Sequence, residues 1–131
     1  MIKPDAVAAG STGGILTAVE KAGFRIVAMK KHHITVAQAQ SFYAVHKERP
    51  FYHGLVKFMT EGPSIVMVLE KENAIQSWRD LMGATNPVNA AEGTIRKQFA
   101  TDIERNAVHG SDAAATAEQE VPFFFSRSEL L

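Results

Sequence analysis

The chain has 131 residues, a length suited to one domain around one hydrophobic core. Apolar residues make up 46% of it and charged ones 21%, and 14 basic residues cancel 14 acidic ones. That balance leaves no global field to draw in DNA or an anionic membrane, and the lack of cysteine excludes disulfides, thiol nucleophiles and cysteine zinc sites.

The longest aliphatic run, Ile65 to Leu69, is too short to span a bilayer, and no signal-peptide pattern opens the chain. A cytoplasmic location and a single domain over residues 1–131 are therefore expected. In chain order, Met1 to Asp5 reads as the end of a strand followed by a turn at Pro4. A helix follows from Thr12 to Ala22, with Ile15, Leu16 and Val19 on one face and Gly23 as its stop. Phe24 to Ile34 reads as a strand that turns Arg25, Val27, Met29 and Lys31 to one side and Phe24, Ile26 and Ala28 to the other. Thr35 is the expected N-cap of the next helix, which carries Ala39, Phe42 and Tyr43. Pro50 breaks that segment, and a short helix runs from Phe51 to Thr60.

Ser64 to Glu70 is nearly continuous in apolar residues, as a central strand would be. Asn73 is the expected cap of a helix that runs to Met82 and closes at Gly83. From Ala84 to Arg105 the pattern is irregular, and a loop of that length in a small domain is usually functional or disordered. Asn106 to His109 reads as a short last strand, and Ala113 to Val121 as a last helix. Strands separated by helices, with few tight hairpin signals, favour an α/β sandwich.

Five histidines are the first candidates for chemistry. His32 and His33 end a basic strand and are expected to face solvent, while His46 and His53 flank a helix break. His109 differs, because it sits in the compact polar segment Arg105-Asn106-Ala107-Val108-His109-Gly110-Ser111-Asp112. Gly10-Ser11-Thr12-Gly13-Gly14 lacks the lysine of a P-loop and the spacing of a dinucleotide fingerprint. His109, Ser111 and Asp112 are too close together in sequence for a hydrolase triad, and no zinc-type histidine pair occurs.

Five motifs now stand in order: Lys3-Pro4-Asp5-Ala6, Arg49-Pro50-Phe51, Gly83-Ala84-Thr85-Asn86-Pro87, Gly93-Thr94-Ile95-Arg96 and Asn106 to Asp112. Together they resemble the nucleoside diphosphate kinases, from Lys3 to about Phe125. The resemblance implies a ferredoxin-like α+β sandwich, a four-stranded antiparallel sheet with helices packed on it. It implies a phosphotransferase that moves the γ-phosphate of a nucleoside triphosphate to a nucleoside diphosphate by a ping-pong route through phosphorylated His109. Glu120 would orient the imidazole and Ser111 would help position it. Lys3, Arg79 and Arg96 match phosphate ligands, with Tyr43 and Thr85 as hydroxyl donors. Asn106 and Lys3 match the groups on the sugar hydroxyls, and Phe51 and Ile103 match the two apolar faces around the base.

Stacking of that kind discriminates bases weakly, so purines and pyrimidines, ribose and deoxyribose would all be accepted. Mg²⁺ is implied as the cofactor, carried in by the phosphates without a direct protein ligand, with Asp112 reaching it through water. A homo-oligomer is also implied, a hexamer by preference and a tetramer as the other form. Only Met1 and Ile2 precede Lys3, whereas strands usually run to about five residues, so a truncated first strand is expected. The alternative reading is a catalytically impaired relative that acts as a regulatory or interaction protein. A nucleic-acid module resting on Lys30 to His33 and Phe123 to Phe125 fits the zero net charge poorly.

Overall fold

A computed structural model describes residues 1–131. Strand β1 (Arg25–His32) pairs antiparallel with β2 (Ser64–Glu70), from Arg25 opposite Glu70 to His32 opposite Ser64. A bulge between Ile26 and Ala28 interrupts this register. Arg25, Met29 and Lys31 are exposed as the alternation predicts, but Val27 is drawn into partial burial because the bulge re-aims it.

Two further chain segments join the sheet through one residue each. Ile2 bridges Ile65 on one side and Val108 on the other, both antiparallel. The lateral order is therefore β1, β2, Ile2, Val108, four segments wide but regular only in two. Helix α1 (Pro4–Ala8) begins two residues after Ile2, where the sequence predicts a turn. Pro4 suits that start, since its fixed φ is helical and its missing N–H would have had no partner there. The expected last strand is reduced to its bridge because Ala107, at a φ of 72°, bends the segment.

Helix α2 (Thr12–Lys21) buries Ile15 and Val19, and Gly23 turns the chain at a φ of 88°. Helix α3 (Val36–Phe42) is closed by the capping box of Thr35 and Gln38, and α4 (Tyr52–Met59) buries Tyr52, Val56, Phe58 and Met59. Helix α5 (Ala74–Met82) places Trp78 and Met82 inside. Asn73 does not cap it with its side chain. It adopts the left-handed conformation instead, at a φ of 53°, which asparagine tolerates better than most residues.

The long irregular stretch contains a 3₁₀ turn, Pro87–Asn89, and helix α6 (Ile95–Phe99), capped by the Thr94 hydroxyl. Helix α7 (Ala114–Phe124) continues three residues past the expected end and carries Pro122 within it, at the loss of one backbone hydrogen bond.

The interior forms two clusters. Ile2, Ile65 and Val108 from the sheet meet Ile15, Val19, Trp78, Met82 and Ile95 in the larger one. Ile34, Ala39, Tyr43, Tyr52, Val56, Phe58 and Met59 form the other. Helices packed on an antiparallel sheet in this way match the expected ferredoxin-like sandwich.

Candidate active site

His109 follows the sheet bridge of Val108 directly, so its backbone is fixed by the centre of the fold. Its N–H donates to the Met1 carbonyl at 2.9 Å, and its own carbonyl accepts from Trp78 Nε1 at 3.3 Å. Gly110 lies flat against the Trp78 ring, where any side chain would collide. The imidazole Nε2 meets Glu120 Oε1, on α7, at 2.6 Å, and 29% of the His109 side chain remains exposed. The Phe42 ring stands edge-on to the imidazole with centroids 5.7 Å apart, and also packs on Phe123 and Phe124.

Burial holds the His109 pKa below its ordinary value of 6.5, against the opposing pull of the Glu120 hydrogen bond. Burial works against ionisation of Glu120 too, yet the hydrogen bond and the charge of His109 oppose it and keep the carboxyl below the usual range. The pair is thus a neutral imidazole held by a carboxylate. A carboxylate only accepts hydrogen bonds, so Nε2 carries the proton and Nδ1 keeps a free lone pair.

A polar cleft of about 660 Å³ opens beside the ring. Arg79, Thr85, Arg96, His109, Ser111 and Asp112 all line it. Arg96 comes from the first turn of α6 and is 8% exposed. Its guanidinium donates to three carbonyls, Gly83 at 3.0 Å, Val108 at 3.0 Å and Asn106 at 3.3 Å, so it ties the long loop to the segment that carries His109. Burial lowers its pKa from the ordinary arginine value.

Lys3 is equally buried, and its Nζ donates to Asn106 Oδ1 at 2.8 Å. Burial, then the positive charge of Arg96, push its pKa down to about 8. Asn106 Nδ2 donates to the Thr85 and Ile103 carbonyls, so the whole Asn106 side chain is engaged within the protein. The Tyr43 hydroxyl is buried without a hydrogen-bond partner, and burial followed by the Glu120 charge raises its pKa. Tyr43 does not line the cleft, and its orphan hydroxyl is a donor in reserve.

Phe51 and Ile103 are exposed apolar side chains outside the lining of this cleft, at 52% and 61% exposure. The Phe51 ring packs on His46 at 5.4 Å. Asp112 accepts from the Thr116 hydroxyl at 2.9 Å at the start of α7. His32 bonds Gln38 and is half-buried rather than solvent-facing, whereas His33 is exposed as expected. Sequence reasoning passed over Phe42 and Trp78, which both touch the His109 residue. The one signal available for Trp78 was that the chain has a single tryptophan.

Comparison with known proteins gives the family. The family model described as nucleoside diphosphate kinase matches residues 1–130. The nucleoside diphosphate kinase of Trichlorobacter lovleyi is 60% identical over 131 residues, covering 100% of this chain and 95% of its own. That of Geobacter sulfurreducens is 58% identical over all of this chain and 96% of its own. Among solved structures, the nucleoside diphosphate kinase of Aquifex aeolicus superposes with a TM-score of 0.97 at 43% identity, covering 99% of this chain and 94% of that one. The Halobacterium salinarum nucleoside diphosphate kinase in complex with CDP has a TM-score of 0.94 at 41% identity, over 99% and 87% of the two chains. With the whole chain matched in sequence and in backbone, this protein belongs to the nucleoside diphosphate kinase family, phosphotransferases that act on nucleotides.

Proposed function

We propose that His109 carries the phosphoryl group between a nucleoside triphosphate and a nucleoside diphosphate, through Nδ1. The observation that supports this most directly is the 2.6 Å contact of Nε2 with Glu120, which leaves Nδ1 unprotonated next to a cleft that holds two arginines. In the first half-reaction the Nδ1 lone pair bonds to the γ-phosphorus while the β,γ-bridging P–O bond breaks, and the nucleoside diphosphate departs with those electrons. In the second, the terminal phosphate oxygen of an acceptor diphosphate attacks the same phosphorus and the N–P bond breaks. One site serves both in turn, so the kinetics are ping-pong.

Glu120 holds the productive tautomer and stabilises the imidazolium character that develops as Nδ1 bonds to phosphorus. Ser111 supports Glu120 and the ring. Arg79, Arg96 and Lys3 neutralise the charge spread over the phosphate oxygens, and Thr85 and the unpartnered Tyr43 hydroxyl donate to them. Lys3 and Asn106 exchange part of their mutual bonding for the sugar hydroxyls. Phe51 and Ile103 offer apolar surface to the base without reading its edges, which supports broad tolerance of base and sugar. The CDP bound by the Halobacterium salinarum protein is in keeping with a pyrimidine substrate here.

Mg²⁺ would enter as a companion of the phosphates, with Asp112, which lines the cleft, reaching it through water. When bound, it would supply positive charge against the phosphates and so ease the approach of Nδ1. We further infer a homo-oligomer, hexameric by preference. The outer edge of β1, the exposed Met29 and the 79%-exposed Val88 are apolar or unpaired surface of the kind that subunits cover. The cytoplasm, where nucleoside di- and triphosphates interconvert, is the proposed location. No helix is long and apolar enough to cross a membrane.

The test is phosphoenzyme formation with γ-labelled ATP and Mg²⁺, followed by a chase with GDP. Acid-labile, base-stable label that transfers to GTP is expected, and His109→Ala should take no label while still binding nucleotide. Label on the His109→Ala protein, or none on the parent, would contradict the reading.

A further inference from the structure

The turn that delivers His109 is held from outside the cleft. The Val108 N–H donates to the Asn106 carbonyl at 2.9 Å, across Ala107 with its φ of 72°. A bond from residue i+2 to residue i over a positive φ is the strained form of the γ-turn, rare in proteins and persistent only where the surroundings over-determine it. Two contacts do so here. The Ala107 carbonyl accepts from the Lys3 N–H at 2.8 Å. The Ala107 N–H donates to Asp5 Oδ2 at 3.1 Å, from the first turn of α1 at the other end of the chain.

Ala107 itself is fully buried. The second oxygen of Asp5, Oδ1, is buried without a hydrogen-bond partner. A side-chain oxygen left buried without a partner is costly, and it is offset here by the bond that the other oxygen accepts, which a residue without an acceptor at that place would not make. The turn it grips lies two residues before His109.

We propose that Asp5 is a positioning residue for His109: its carboxylate clamps the Ala107 N–H, keeps the γ-turn closed and so sets where the imidazole meets the incoming phosphate. The inference rests on the reading of His109 as phosphate carrier. Asp5 also stands near Lys3 and favours its charged form, so the acceptor and the charge must be separated by experiment.

The experiment measures kcat, KM and single-turnover phosphoenzyme formation in Asp5→Ala, Asp5→Asn and Asp5→Ala combined with Ala107→Gly. Asp5→Ala should lower kcat by about 10- to 100-fold with little change in KM, the scale of loss that misplacement of a reacting group by about 1 Å brings. Asp5→Asn should stay close to the parent, because its amide oxygen accepts the same bond without the charge. Glycine at position 107 should restore much of the rate lost in Asp5→Ala, since it adopts a positive φ without a Cβ penalty.

An Asp5→Asn protein as slow as Asp5→Ala, or a double variant no faster than Asp5→Ala, overturns the proposal. If Asp5→Ala does not fold, Asp5→Asn and Asp5→Glu decide the matter. A fast amide and a slow, over-long glutamate support the clamp, and the reverse order removes it. A parent that takes no label would sink the carrier reading itself, whereas a labelled parent with an equally fast Asp5→Ala sinks the positioning role alone.

Discussion

At the scale of single residues, the state of His109 is set by a contest between burial and Glu120. Burial favours the neutral ring and prevails, so its pKa lies below the ordinary 6.5. The nucleophilic form is the one without a proton on Nδ1, and that form persists to lower pH than a free histidine would allow. We therefore expect the rate of phosphoenzyme formation to stay flat as pH falls through 6.5 and to decline only further down. A single-turnover pH profile checks this, and a midpoint at or above 6.5 would show that the carboxylate, not burial, governs the ring. Chemical roles at this scale were legible in the sequence only through whole motifs. Glu120 stands in an ordinary Glu-Gln-Glu run, and only the bend of the chain into α7 brings it to 2.6 Å from His109.

At the scale of elements, α5 supports the site through one face. Trp78 donates to the His109 carbonyl and covers Gly110, whose missing Cβ is what allows the ring to lie there. Gly110→Ala should push the ring or the 109–111 segment aside. The expected cost is about 1–3 kcal/mol in stability from overpacking, together with about a tenfold or greater loss of kcat. Denaturant unfolding and steady-state kinetics read the two effects separately, and unchanged values for both would remove Trp78 from the support of the site. Several helix termini were readable because capping and stopping are local: Thr35, Gly23 and Gly83 all act within a few residues, whereas the Thr94 cap of α6 emerged only in the fold. Asn73 stands at the N-cap as read, but its left-handed backbone takes the place of a side-chain capping bond. The helical Pro4 and the single-residue bridge at Val108 were misread. The first depends on the residues after the proline, and the second on the strained Ala107.

At the scale of the whole molecule, the two core clusters carry separate natural probes. Trp78 lies in the larger cluster, while Tyr43 and Tyr52, the chain's two tyrosines, lie in the other. We propose that residues 1–131 behave as one cooperative domain, in which tryptophan fluorescence and tyrosine absorbance report the same urea midpoint. Two separated midpoints would mean that α3 and α4 open independently of the sheet.

The division between the contributions of chain order and of the fold is clear at this scale. The sequence by itself determined the alternation of helices and strands and the apolar run of β2, which are properties of neighbours in the chain, read from spacing and residue type. Its five motifs, taken together and in order, carried the resemblance to the family. Only the tertiary structure decided which nitrogen of His109 is free, that Lys3 and Arg96 are buried and shifted in pKa, and that Asp5 grips the backbone of Ala107. Each of these depends on groups far apart in sequence meeting where water is excluded, and solvation and contact across the chain leave no local pattern to read.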